Sequence, residues 1–67
     1  MLKVNKERVI QIQNEMGLTN EGMAKKLGLT KNSYCAIKSM EARNFTLEHI
    51  LICQEMTGEN IANFFKQ

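Results

Sequence analysis

The sequence predicts an all-α fold, a compact domain of five short helices. Three observations predict it. Apolar residues recur at spacings of three and four along the whole chain, and no convincing period-two run appears. The punctuation between the apolar stripes is that of helix ends: Asn5, Thr19, Thr30, Thr46 and Asn60 stand as N-caps, and Gly17, Gly28 and Gly58 as stops. There is no proline in the 67 residues, so nothing forces a break inside any of these segments.

Taken in order, the first helix opens after Asn5 and runs to about Met16, with Val9, Ile12 and Met16 as its inward stripe and Gly17 as its stop. Thr19 caps the second, which carries Met23, Ala24 and Leu27 inward and ends at Gly28. Thr30 caps the third, running to about Met40 with Tyr34 and Ile37 facing the core. Thr46 opens the fourth, which closes near Gly58 and offers Leu47, Ile50, Leu51 and Cys53. Asn60 opens a short fifth with Ile61, Phe64 and Phe65. Gly22 lies inside the second helix, where it costs roughly 1 kcal/mol relative to alanine. Close approach of another backbone or of DNA would account for it.

Length and composition narrow the function classes. Residues 1–67 make one domain, and 43% apolar with 24% charged residues is an ordinary globular balance. No apolar run reaches the roughly 18–20 residues of a membrane span. Met1 to Lys6 lack the apolar stretch of a secretory signal, so a cytoplasmic protein is expected. A chain this short buries only about 60% of the surface its unfolded form exposes. Stability then rests on helix packing, oligomerisation or both. The two cysteines, Cys35 and Cys53, form no CxxC pair, and with the single His49 they cannot make a four-ligand zinc set. No metal or cofactor is expected. Cys35 with His49 as base would be the one nucleophilic pairing, but nothing in the sequence orients the histidine or supplies an oxyanion site. The sequence reads as non-enzymatic.

The charge is unevenly distributed. Residues 1–45 carry eight Lys and Arg against four Glu, a net +4, whereas residues 46–67 carry Lys66 against Glu48, Glu55 and Glu59, a net −2. The positive part is a candidate polyanion surface. Within it, Thr19 to Ser39 reads as two short helices joined by Leu27-Gly28-Leu29-Thr30. Ala24 is small enough for a close crossing, Gly28 suits a turn residue at positive φ, and Met23, Leu27, Leu29, Tyr34 and Ile37 stand where contacts locking both helices to a core would fall. That pattern is a helix-turn-helix.

The run Gly17-Leu18-Thr19-Asn20-Glu21-Gly22-Met23-Ala24-Lys25-Lys26-Leu27-Gly28-Leu29-Thr30-Lys31 resembles the Cro/C1-type helix-turn-helix family of bacterial and phage transcriptional regulators. Thr46 to Leu51 looks like that family's fourth helix, and Gly58 to Phe65 like its closing turn and fifth. The resemblance covers about residues 5–65 and implies a lambda-repressor-like arrangement. It departs from the family pattern at four positions. Asn20 stands where a glutamine commonly contacts phosphate, Lys38 where glutamate is frequent, Met40 near a usual glycine, and Phe45 in place of a proline before Thr46. The last two imply a longer third helix and a differently shaped loop after it.

What the resemblance implies for function is sequence-specific binding of a duplex DNA operator by a small transcriptional regulator, a repressor acting by occupancy. The third helix, about residues 31–40, would enter the major groove. Its exposed N-terminal face is Thr30, Lys31, Asn32 and, one turn on, Ala36. Lys31 suits guanine O6 and N7, Asn32 suits adenine N6 and N7, and Ala36 offers a methyl contact. Asn20, Ser33, Lys38, Ser39 and Arg43 are the phosphate neighbours. The C-terminal segment implies a weak, isologous homodimer through Ile61, Phe64 and Phe65. With no sensor domain, no small-molecule ligand is expected. The alternative is a protein-interaction module, antirepressor or antitoxin-like, that uses the same fold without DNA.

Overall fold

The computed structural model describes residues 3–66. Four α-helices make up most of it: α1 (Lys6–Glu15), α2 (Asn20–Leu27), α3 (Lys31–Ser39) and α4 (Leu47–Thr57). A single 3-10 turn, Ile61–Phe64, follows. Two very short strands, β1 (Lys3–Val4) and β2 (Phe65–Lys66), pair antiparallel with Val4 opposite Phe65. The described residues are thus mostly helical, as the periodicity predicts, but they form four α-helices rather than five. Asn60 does cap the turn, accepting the Ala62 N–H at 3.0 Å. Only four residues then remain before the chain extends at Phe65, whose φ of −129° and ψ of 143° suit the pairing with β1. A two-residue strand is too short to leave a period in the sequence.

Side chains cap three of the four α-helices. Thr19 accepts the Gly22 N–H at 3.0 Å and Thr30 accepts the Ser33 N–H at 3.2 Å. Thr46 and His49 cap reciprocally, the Thr46 N–H donating to His49 Nδ1 at 3.1 Å. Asn5 holds the corresponding position before α1, but its side chain makes no capping bond. All three stop glycines lie at positive φ. At Gly28 this matters most, because φ of 74° lets the chain leave α2 and start α3 within three residues. At Gly22 the expected backbone approach is not what crowds the site. An added Cβ would meet the Thr19 hydroxyl at 3.3 Å.

One core joins every helix: Val9 and Ile12, Met23, Ala24 and Leu27, Tyr34 and Ile37, Phe45, Ile50 and Cys53, and Phe64. Three residues expected there lie elsewhere. Met16 falls past the end of α1 and is exposed. Leu47 and Leu51 are exposed because α4 turns Ile50 and Cys53 inward, and each residue along a helix rotates the side chain by about 100°. In their place Phe45 is buried, packed on Tyr34 with ring centroids 5.8 Å apart and edge-on to His49. Phe45 thus belongs to the core. The longer third helix is not seen: α3 stops at Ser39, and Met40 is already extended. Lys6 Nζ donates to the Met40 carbonyl at 2.9 Å, holding the start of α1 against the end of α3. No helix among the described residues is long and apolar enough to cross a membrane.

Candidate nucleic-acid interface

α3 has one face sealed and one face open. Tyr34 and Ile37 are buried, which fixes the rotation of the helix about its axis. On its first turn Lys31 and Asn32 are exposed, and neither side chain forms a hydrogen bond with any described residue. Ala36, one turn later, is half-buried. Thr30 has a different position. Its hydroxyl accepts from the Ser33 N–H and donates to Ser33 Oγ at 3.0 Å, so both hydroxyls are engaged in the cap. Ser39 is also engaged locally, donating to the Cys35 carbonyl at 2.9 Å. Arg43 is exposed in the connection to α4 and pairs with no carboxylate among the described residues.

Asn20 and Lys38, two of the phosphate neighbours expected from the sequence, meet in one polar cluster built on Gln13. Gln13 is only 5% exposed, the one buried polar side chain among the described residues. Its amide donates to the Leu18 carbonyl at 3.1 Å and to Asn20 Oδ1 at 3.0 Å. Its oxygen accepts from Tyr34 OH at 2.5 Å and from Lys38 Nζ at 3.2 Å. That is the full hydrogen-bonding capacity of a carboxamide, so burial leaves nothing unsatisfied. Lys38 Nζ also donates to Asn20 Oδ1 at 2.9 Å and sits 5.4 Å from the Tyr34 ring centroid. Burial pushes the Tyr34 hydroxyl up to about 12, so it remains a donor. The cluster ties α1, α2 and α3 together beneath the start of α2.

Sequence reasoning missed Gln13. The signal was there in its position: it lies four residues after Val9 and next to Ile12, on the inward face of α1. A polar residue at that phase requires partners, and the partners come from two other helices.

The remaining charges fall into two groups. Arg8 is held between Glu15, at 3.2 Å, and Glu59, so its charge is spent on joining α1 to the closing segment. The Glu59 and Glu15 carboxylates raise the guanidinium pKa, and Arg8 in turn holds the Glu59 carboxyl below its ordinary range. Lys66 pairs with Glu7 at 2.9 Å. By contrast Lys25, Lys26 and Lys31, at the end of α2 and the start of α3, are exposed and pair with no carboxylate among the described residues. Lys25, Lys26 and Lys31 thus leave uncompensated positive charge around the α2–α3 turn, as Lys3, Lys6 and Arg43 do elsewhere among the described residues.

The C-terminal residues divide. Phe64 is fully buried and is a core residue, so it has no surface to give a partner. Ile61 and Phe65 are half-buried and keep part of their surface. The adjacent positions differ because Phe64 ends the 3-10 turn facing α1 and α4, while Phe65 begins the strand.

Both cysteines are free, Cys35 half-buried and Cys53 buried; burial, with a smaller push from Glu59, raises the Cys53 thiol to about 11. His49 is engaged in the α4 cap. Among the described residues no group of three or more His, Cys, Asp or Glu side chains stands ready to hold a metal ion. Comparison of the chain with family models, with curated proteins and with solved structures finds no significant match.

Proposed function

We propose that this domain binds duplex DNA as a small Cro/C1-type regulator, with α2 and α3 as its helix-turn-helix and α3 as the helix entering the major groove. The observation that carries the reading is the contrast on α3. Its inner face is locked by Tyr34 and Ile37, while Lys31 and Asn32 stand exposed and unengaged on the first turn. That is where a recognition helix presents its base-reading side chains. Lys31 then donates to guanine O6 and N7, Asn32 pairs with adenine N6 and N7, and Ala36 lies against a thymine methyl. Thr30 and Ser33 hold the helix start and approach the backbone from there. Arg43 and the unpaired Lys25 and Lys26 supply positive charge along the phosphates.

Regulation would follow from occupancy of an operator by a weak homodimer. Ile61 and Phe65 contribute the partner-facing surface, without Phe64. A second reading, a protein-interaction module, is favoured by one observation: Leu47 and Leu51 are 58% and 48% exposed one turn apart on α4. Binding of labelled duplex at two salt concentrations separates the two. Under the DNA reading, log K falls against log salt with a slope of about −0.9 for each phosphate neutralised. No binding, or a flat response, favours the protein-interaction module.

A further inference from the structure

We infer that Gln13 and Lys38 are positioning residues for Asn20: they hold its carboxamide with the oxygen inward, so that its amide N–H groups face one phosphodiester oxygen of the DNA backbone. The inference rests on the DNA reading and deepens it. The orientation of each amide follows from its neighbours rather than from choice. Gln13 must turn its NH2 to the Leu18 carbonyl, and its oxygen then receives the Lys38 ammonium. Asn20 therefore meets two donors, the Gln13 amide at 3.0 Å and Lys38 Nζ at 2.9 Å, and only its oxygen can answer them. With that oxygen taken twice, what Asn20 has left to offer is donors. Its Nδ2 has no acceptor among the described residues and is not sealed from solvent. A group that can only donate, at the first residue of α2, suits a phosphate oxygen and no cation. Lys38 accordingly acts chiefly through Asn20, its ammonium shared between two carboxamide oxygens.

The test combines stability with a double-mutant cycle. Asn20→Asp replaces the outward NH2 by an oxygen but keeps an inward oxygen for Gln13 and Lys38, and it places a negative charge at a helix start, which is favourable. It should melt no lower than the parent yet bind random-sequence duplex at least about tenfold more weakly. Gln13→Met keeps the volume and removes the hydrogen bonds. It should weaken duplex binding about tenfold in the parent, and less than about twofold once Asn20 is already alanine. Should Gln13→Met fail to fold, Lys38→Gln, at a half-buried site, is put through the same cycle. In the free protein, the Asn20 side-chain amide resonance should shift in Gln13→Met. Equal losses in both backgrounds, an unchanged amide signal, or Asn20→Asp binding like the parent would overturn the positioning role while leaving the DNA reading intact. A parent that binds no duplex removes the DNA reading, and this inference with it.

Discussion

The α2–α3 pair and the segment after Gly58 are built from similar local parts, a capping side chain and a glycine at positive φ, but they are held to the molecule differently. The first is held by helix packing and by the Gln13 cluster, which ties it to α1. Its two helices pack on one another, and its cations are left uncompensated. The second has almost no structure of its own. It is fixed by Phe64 in the core, by the Arg8–Glu59 pair and by two residues of strand. The difference is one of attachment: packing and the Gln13 cluster hold the α2–α3 pair, and Lys25, Lys26 and Lys31 take no part in either. The closing segment spends its charges on attachment.

The largest effect that would sharpen this contrast is Phe64→Ala. Removing a fully buried phenylalanine should cost about 3–5 kcal/mol, read by urea denaturation. Phe65→Ala, one residue on, should cost much less and should instead lower any self-association seen by sedimentation. Equal losses of stability would mean that the closing segment presents no partner-facing side.

On the other region, under the proposed DNA reading, Asn32→Ala should leave stability unchanged and remove about 1–3 kcal/mol of discrimination at one base pair of a selected site. Uniform weakening over all sequences would reassign Asn32 from base reading to the backbone.

Caps give an intermediate effect. Thr46→Ala removes only the 3.5 Å half of its reciprocal pair, because the backbone N–H of residue 46 still donates to His49 Nδ1, whereas Thr19→Ala removes a whole 3.0 Å cap. Each should cost about 1 kcal/mol in urea denaturation, with Thr19→Ala the larger loss.

The smallest effect is a pH dependence confined to the closing segment. Arg8 holds the Glu59 carboxyl below its ordinary 4.5 in the folded protein. The unfolded chain therefore binds the proton first as pH falls. The pair stabilises the fold above that ordinary value, and its contribution is lost as pH drops through the lower, folded one. Glu59→Gln should flatten the acid limb of a melting-temperature profile below the ordinary 4.5 of a glutamate. An unaltered acid limb would show that the pair is not an anchor.

What was legible in the sequence is what depends on near neighbours. Thr19, Thr30 and Thr46 cap as expected because a cap reaches only three residues along the chain, and Gly28 stops α2 for a reason contained in the residue itself. The exposed faces of Lys31 and Asn32 follow from the same local phasing. What was hidden depends on which helix lies across the core. α4 carries apolar residues on all sides, so its period could not choose Ile50 and Cys53 over Leu47 and Leu51. Gln13 needed Tyr34 and Lys38 from α3 before its burial made sense, and those contacts likewise drew Asn20 and Lys38 into one cluster. The end of the chain became a strand only because β1 was there to pair with it.

That pairing has a kinetic consequence. β1 and β2 meet across nearly the whole chain, so their contact must wait for the ends of a very long loop to come together. The capped helices need no such encounter and can form from nearby residues. We predict that the strand pair, with the 2.7 Å bond from the Asn5 N–H to the Phe64 carbonyl, is the last piece to assemble and the first to open. Amide exchange at Asn5 would proceed through a local fraying that leaves the α2–α3 pair closed, giving the domain two exchange regimes despite its single core.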